Sequence, residues 1–466
     1  MKKLHRNLLI VSGFGLLLIG GGGFAAKQWV DRETSPEALV RQLEKSLNCR
    51  AEIATTRVGL FSFPATLEVT GLRLLPRDGE NAKPAKDRKP PKKIETLLLI
   101  PSLKADLSLP ALLSREVRIG NLTLTGVEAA TVRKKNGENT LTTLIGKPPA
   151  PPPDPNAPPA APAASREKAK PFAAALTLAE LKDAKLSVRN EKKKQLIQIS
   201  DLNLSLTNLS YASALPVSAN PATDGPPSVM ESSLHLTSID LPTQREQMDI
   251  TIAVRSTLPP IQQAATADGT TLDLTFKAGS YLDRIPTLEK LGKKLGKLKD
   301  QIGLDLTSFP VSGRLLRDTA VKAKMTGGLL IFEEDTNFNF DTCRIKLKKG
   351  SSFNPDDQSH RFDGIFAANE QVSAEAIAGV EDYLEAKGES LGPIIRETIL
   401  AKIVSDKGLL TIPFTSTEDI GRPEVNLSRS FEKAITEGLT DAASELLKDT
   451  LKGGDGIKGL LDSLSR

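Results

Sequence analysis

One stretch of eight residues decides how this chain folds: LEVTGLRL, residues 67–74. Aliphatic and polar residues alternate up to Val69 and again from Leu72, which is the pattern of a strand that buries one face. Thr70 and Gly71 separate the two halves, where strict alternation would place a single residue. A β-bulge absorbs one residue and keeps the later aliphatic side chains on the same face, whereas a slip of one residue would turn them to the other face.

The same interrupted alternation recurs at residues 98–105, 117–124, 197–204 and 234–241, and each break falls on turn-forming or bulge-forming residues. The repeats predict long, bent strands that are aliphatic on one face and polar on the other. Pairs of short strands joined by tight turns fit the pattern as well. The positions expected on the aliphatic face, and hence in any groove, are Val69, Leu72, Leu74, Ile119, Leu122, Leu124, Ile199, Leu202, Leu204, Leu236, Ile239 and Leu241.

The first thirty residues predict a membrane anchor. Residues 8–26 are uncharged and would rise about 28 Å as a helix, close to the ~30 Å apolar core of a bilayer. Lys2, Lys3 and Arg6 precede this stretch and should stay cytoplasmic, so the body would be exported. A cleaved signal peptide is the alternative, since residues 23–25 offer a small-x-small cleavage pattern. The anchor candidates are Leu8, Leu9, Ile10, Val11, Leu16, Leu17, Leu18 and Ile19.

The composition disfavours nucleic-acid binding and catalysis. Aromatic residues make up 4% of the chain, too few for base-stacking modules, and 62 basic residues nearly balance 57 acidic ones. The sequence contains three histidines but no Walker A, GxSxG or HExxH motif, so we predict no enzyme activity, no metal and no cofactor. The two cysteines, Cys49 and Cys343, could pair in an oxidising compartment or be two unrelated buried thiols.

The order of segments predicts five regions. A cytoplasmic stub and anchor (1–30) precede a helix and strands (31–146), and a Pro-rich linker (147–171) leads to a β-rich groove with helices (172–430) and C-terminal amphipathic helices (431–466). Residues 286–302 are predicted to form a basic helix with a leucine stripe. Such a helix either caps a sheet or lies on an anionic lipid surface. Further helices are predicted at 372–387 and 394–404.

This layout resembles the AsmA-like family of envelope proteins. An anchor with a basic cytoplasmic flank is followed by a short helix from Ser35, and NGENTL at residues 136–141 is similar to a turn in the family's repeat. KGLLTIPF at residues 407–414 and GRP at 421–423 resemble its closing pattern. The resemblance implies a long, curled antiparallel sheet, mainly β with flanking helices, that forms an open, taco-shaped groove. It also implies an inner-membrane protein with a periplasmic body that interacts with phospholipids and envelope proteins.

Two functions follow as expectations. In the first, the aliphatic groove binds or conducts phospholipid and supports outer-membrane lipid homeostasis, because apolar burial stabilises each acyl CH₂ by about 0.8 kcal/mol. In the second, the chain is a non-catalytic assembly scaffold whose aliphatic face is a closed core. A charged residue on that face would remove lipid in the first case and unfold the protein in the second.

Overall fold

The computed structural model describes residues 35–59, 64–76, 97–107, 117–136, 139–141, 173–212, 227–258, 269–296, 309–387, 403–405, 407–429, 431 and 433. The described residues are mainly β, as predicted, and contain three helices. The predicted anchor lies outside these residues, and within them no helix is both long and apolar enough to cross a membrane. The chain divides into two compact units, Met1–Leu274 (unit 1) and Thr275–Arg466 (unit 2).

The elements are numbered in chain order. The helices are α1 (Pro36–Ser46), α2 (Pro286–Leu295) and α3 (Glu370–Lys387). The strands up to the unit boundary are β1 (Cys49–Glu52), β2 (Thr55–Gly59), β3 (Ala65–Pro76), β4 (Leu98–Leu107), β5 (Val117–Thr125), β6 (Glu128–Arg133), β7 (Ala173–Asn190), β8 (Gln195–Ala212), β9 (Ser228–Asp240), β10 (Arg245–Leu258) and β11 (Thr271–Phe276), which crosses it. Unit 2 adds β12 (Tyr281–Leu282), β13 (Gly313–Arg314), β14 (Thr319–Thr326), β15 (Leu329–Phe332), β16 (Thr336–Asn339), β17 (Cys343–Leu347), β18 (Ser352–Phe353), β19 (Ser359–Ala368), β20 (Thr411–Asp419) and β21 (Glu424–Leu427).

Helix α1 begins where the sequence predicts. Ser35 is the N-cap, and its hydroxyl oxygen accepts a hydrogen bond of 3.2 Å from the amide of Ala38. Pro36 occupies the first turn, where its missing N–H costs nothing. The aliphatic stripe of the helix is buried, and it places the helix on the sheet of unit 1 through Leu39 and Leu43, followed by Leu47 just after the last turn.

The sheet of unit 1 is mixed, which corrects the prediction of an antiparallel sheet. Strands β1 and β2 pair with β3, which is followed across the sheet by β4, then by β5 and β6, and then by β7 to β10. All of these pairs are antiparallel except those of β5 and β6 with β7. Parallel neighbours require a connection that returns along the strand length, and residues 134–172 supply it. Most of this connection, including the predicted Pro-rich linker at 147–171, lies outside the described residues.

The breaks in alternation align across neighbouring strands. Gly71, Gly126, Asp183 and Asp201 all have a positive φ, between 52° and 68°. At Gly71 a Cβ atom would lie 2.9 Å from the Cβ of Ala54, which lies between β1 and β2, so glycine meets both the backbone and the packing requirement. The Gly126 amide donates to the carbonyl of Lys182 at 2.9 Å, and the Asp183 amide donates to Asn203 Oδ1 at 3.0 Å. The irregularities therefore form one continuous line across the sheet.

The predicted breaks at Gly71 and Asp201 lie on this line. In β8 the register with β9 shifts between Ser200 and Asn203, which confirms a bulge there. The register between β4 and β5 also shifts, between Ala105 and Leu107 of β4, so that Gly120 and Asn121 of β5 lie opposite a single residue of β4. This bulge confirms the break predicted in β5. Long bent strands, rather than pairs of short strands joined by turns, account for β3 and β8.

The sheet of unit 2 is covered by two helices. Strand β19 pairs with β17, β18 and β20, and β20 pairs with β21. Leu288, Leu291 and Leu295 of α2 are fully buried in a cluster that also contains Phe366 of β19 and Val380 of α3. The prediction that the leucine stripe of the basic helix caps a sheet is confirmed. Helix α3 matches the helix predicted at 372–387, whereas most of 394–404 lies outside the described residues.

Candidate functional site

Cross-strand pairing brings aliphatic residues into rows on one face of the sheet in unit 1, called here the aliphatic face. Residues paired across neighbouring strands share a face, so the register defines each row. One row runs through Leu103, Leu124, Leu181, Leu204, Ser232 and Val254. A second row, beyond the line of bulges, runs through Leu98, Ala129, Leu186, Ile199, Leu236 and Ile250.

The opposite face of the same sheet carries charged and polar side chains. Lys104 Nζ lies 3.6 Å from Glu68 Oε1 on the neighbouring strand, and Arg255 Nε lies 3.5 Å from Glu231 Oε1. Between them, Thr123 Oγ1 donates a hydrogen bond of 3.3 Å to Glu180. The described part of the sheet is therefore amphipathic from β3 to β10, as the alternation predicts.

Helix α1 closes the first part of the aliphatic face. Val69, Leu72, Leu74 and Leu122 are buried with Leu39 and Leu43 of the helix in a single cluster, and Leu124 packs against that cluster. Residues on both sides of the break at Gly71 enter this cluster, so the positive-φ conformation at Gly71 keeps the aliphatic side chains of β3 together. Ile119 lies in β5 opposite Leu107 of β4. This end of the face is a hydrophobic core.

Most of the second part of the aliphatic face is half-buried, although Leu206 of β8, on the same face, is only 5% exposed. Ile199, Leu202 and Leu204 of β8 and Leu236 of β9 all keep part of their surface exposed. Among the described residues, the buried hydrophobic cluster of unit 1 ends at Leu122 and includes no residue of β8, β9 or β10. The same face thus changes from a closed core to an accessible aliphatic surface between β5 and β8.

Strand β10 contributes residues that the sequence pattern did not identify. Ile250, Ile252 and Val254 are half-buried and pair with Leu236, Leu234 and Ser232 of β9. Their alternation is strict, with Met248 completing it, so a search for interrupted alternation passes over them. Plain period-2 alternation over residues 248–254 is the signal that would have found them.

The prediction that Ile239 and Leu241 lie on the aliphatic face together with Leu236 is wrong. Strand β9 pairs with β8 from Leu236 to Asp240 without a register shift, so Ile239 lies on the face opposite to Leu236. The bulge at this point is in β10, between Glu246 and Met248. Leu241 follows the end of β9 and lies in the turn, where its amide donates to the carbonyl of Lys194 at 2.9 Å.

The NGENTL motif organises the end of strand β6. The side chain of Asn139 accepts hydrogen bonds from the Thr131 hydroxyl and, at 2.9 Å, from the Leu141 amide. The Thr140 hydroxyl accepts from the Val132 amide at 3.0 Å. Side chains of the motif thus satisfy backbone groups where the ladder ends, so its role here is structural.

On the polar face of unit 1, Ser200, His235 and Asp249 contact one another across adjacent strands. His235 Nε2 lies 2.6 Å from Asp249 Oδ1, and its Nδ1 lies 3.4 Å from Ser200 Oγ, so these three side chains join adjacent strands on the polar face. No group of three or more metal-ligating side chains occurs in the part of the chain that the structure describes. Both cysteines are buried thiols, and burial raises the pKa of Cys343 to about 12.

His360 is a buried polar residue of unit 2. Its Nε2 lies 2.7 Å from Ser416 Oγ, which in turn lies 3.3 Å from the Thr287 hydroxyl of α2. Burial lowers the pKa of His360, and the nearby Glu418 and Asp419 oppose this shift without cancelling it. The imidazole is therefore neutral in the folded protein at neutral pH.

We expect unit 2 to lose stability as the pH falls below the ordinary histidine pKa of about 6.5. The pKa of folded His360 is the lower one, so between the two values the unfolded chain binds a proton that the folded protein excludes. The contribution of His360 to the stability of unit 2 is fully present above pH 6.5. It is lost as the pH falls toward the pKa of His360 in the folded protein. Urea unfolding at several pH values gives the free energy of unfolding as a function of pH. This free energy should change less with pH in His360→Gln than in the wild type, and His235→Asn is the control. If the free energy of unfolding of His360→Gln depends on pH as strongly as that of the wild type, His360 is not the cause of the pH dependence.

Comparison with known proteins identifies one match. The model of the AsmA family matches residues 6–319, which is more than half of the chain. The matched region covers the whole described sheet of unit 1, including both parts of the aliphatic face. No curated protein and no solved structure matches this chain.

Proposed function

This chain belongs to the AsmA family, and from that premise we propose that it is a membrane-anchored envelope protein that binds or conducts phospholipid along its aliphatic face. Membership of the family is consistent with an envelope-associated function, and the family is not a known enzyme family. The proposal places the N-terminus in the cytoplasm, the anchor in the inner membrane and the body in the periplasm. Its partners are phospholipids, together with envelope proteins.

One observation carries the lipid part of the proposal. The aliphatic face continues over β8, β9 and β10 with half-buried leucine and isoleucine side chains, while its other end is sealed by α1. Soluble proteins rarely leave large apolar patches uncovered unless the patch binds something. An acyl chain on these rows would gain about 0.8 kcal/mol for each CH₂ removed from water.

A scaffold with a closed aliphatic core is the second candidate. The observation that favours it is the tight cluster beneath α1, in which Leu72 and Leu74 are 1% and 0% exposed. In a scaffold the whole aliphatic face would be buried, and partners or other parts of the chain would cover β8 to β10. The two functions therefore differ in what occupies the half-buried part of the face.

Native mass spectrometry of the full-length protein, followed by lipid extraction, tests the proposal. We expect phospholipid to remain bound at one or more molecules per chain after gentle removal of detergent, because transfer of acyl chains to water is unfavourable. A folded protein without lipid, and unable to take it up from vesicles, would refute lipid binding and leave the scaffold as the better account.

A further inference from the structure

The strand ends of β6 to β10 at one edge of the aliphatic face form a single basic rim. The rim comprises residues 133–136, 189–195 and 240–246, and the register joins them, because Arg133 pairs with Asn190, Asn190 with Gln195, and Gln195 with Asp240. Turn hydrogen bonds complete the connection. The Glu191 amide donates to the carbonyl of Arg133 at 3.0 Å.

The rim contains eight basic residues and three acidic ones. The basic residues are exposed, and they are Arg133, Lys134, Lys135, Arg189, Lys192, Lys193, Lys194 and Arg245. One of the three acids is engaged locally, since Asp240 accepts hydrogen bonds from the amide and hydroxyl of Thr243 at 3.1 and 2.6 Å. With eight basic and three acidic residues, the rim has a formal net charge of +5.

The other ends of the same strands differ in charge. At the far ends of β5 and β7 to β10, the described residues are 117–120, 173–177, 207–212, 227–231 and 255–258, and the charged ones among them are Arg118 and the ion pair of Arg255 with Glu231. In the described residues the two edges of the aliphatic face are thus unequal, one basic and one close to neutral. Such an asymmetry orients an amphiphile that carries negative charge at one end.

The aliphatic rows continue up to the basic rim. Val188 pairs with Ile197, and both lie two residues inside the strand ends Asn190 and Gln195. At about 3.3 Å per residue, the distance along the strand from Ile197 to the turn lysines is on the order of 10 Å. Lysine side chains are long enough to reach a headgroup whose acyl chains lie on these rows.

From this placement we infer that the basic rim binds the phosphate of an anionic phospholipid whose acyl chains lie on the half-buried part of the aliphatic face. The inference rests on the proposed function and adds to it the class of lipid and its orientation. Zwitterionic lipids and uncharged diacylglycerol share the apolar contacts but lack the net charge. The protein should therefore select anionic lipids, and the selection should weaken as salt is raised.

The test compares three lipids with identical acyl chains: a phosphatidylglycerol, a phosphatidylcholine and a diacylglycerol. Full-length protein is equilibrated with each lipid in mixed micelles, and the bound lipid is counted by native mass spectrometry. We expect the wild type to prefer phosphatidylglycerol about tenfold over diacylglycerol, and Lys192→Glu/Lys193→Glu to lose that preference while keeping diacylglycerol binding. Both lysines are exposed in a turn, so the variant should fold.

A matched control is provided by Lys348→Glu/Lys349→Glu, which makes the same charge change at an exposed lysine pair following β17 in unit 2. This control should retain the preference for phosphatidylglycerol. Unchanged lipid selection in Lys192→Glu/Lys193→Glu would overturn the inference, while diacylglycerol binding would leave the proposed function standing. If the wild type binds none of the three lipids, the proposed function itself fails.

Equilibrium dialysis with inorganic phosphate separates a lipid headgroup from a soluble anion. We expect no measurable retention of free phosphate, because the rim is an open edge that needs the acyl contacts as well. Saturable phosphate binding that disappears in Lys192→Glu/Lys193→Glu would assign the rim to a soluble anion and overturn the assignment to a lipid.

Discussion

Replacement of Leu204 by aspartate is expected to remove bound phospholipid while leaving unit 1 folded. Leu204 lies in the middle of the half-buried part of the aliphatic face, between Leu181 of β7 and Ser232 of β9. Its side chain is partly exposed, so a carboxylate there can stay hydrated in the absence of lipid. An acyl chain on this row would have to desolvate that carboxylate, which costs several kcal/mol.

The same change at Leu122 should act differently. Leu122 is 7% exposed and belongs to the cluster beneath α1, so a carboxylate at this position would be buried without a partner. We expect Leu122→Asp to unfold the sheet of unit 1, whereas Leu204→Asp should melt close to the wild type. Gln198→Asp, an exposed position on the other face of β8, is the control for the added charge and should keep its lipid.

Bound lipid is measured by native mass spectrometry and folding by circular dichroism during thermal unfolding. If Leu204→Asp unfolds in the same way as Leu122→Asp, then β8 lies in a closed core and the scaffold is the better account. If Leu204→Asp remains folded and keeps its lipid, acyl chains do not use this row, and the proposed route along the aliphatic face is wrong. The two variants therefore distinguish the two halves of one face.

The amphipathic sheet was predictable because alternation is a local property. The alternation in residues 67–74 shows which side chains share a face, and its break shows where the strand is irregular. The structure places Gly71 at this break, with a positive φ and with no room for a Cβ beside Ala54. Helix α1 was predictable for a similar reason. Its N-cap and aliphatic stripe occur within twelve residues of sequence.

What the sequence could not predict depends on contacts between distant segments. The leucine stripe of α1 shows that the helix packs on something, but only the fold shows that it seals the part of the face formed by β3 to β5. The parallel pairing of β5 with β7 is a contact between distant segments, and the Pro-rich composition of the residues between them does not specify it. Ile239 was misplaced because the bulge near it belongs to the partner strand β10.

Replacement of Leu291 by alanine is expected to destabilise unit 2 by about 2–5 kcal/mol, the usual cost of removing a large buried side chain. Leu291 is fully buried in the cluster that joins α2 to the sheet, where the helix is also linked to Ser416 through Thr287. Lys290→Ala changes the neighbouring exposed residue and should shift stability by no more than about 0.5 kcal/mol. Hydrogen exchange of the β19 and β20 amides reports this stability locally.

The comparison of Leu291 with Lys290 also tests the capping role of α2 in solution. A helix that lies on an anionic lipid surface would expose its leucines to the membrane, so Leu291→Ala would reduce vesicle binding and leave amide protection in β19 unchanged. A helix that caps the sheet gives the opposite result, because the lost contacts are those that hold α2 against Phe366 and its neighbours. The lysines of the helix would then contribute charge at the surface without contributing to the core, and removing one of them should leave the exchange rates of unit 2 as they are.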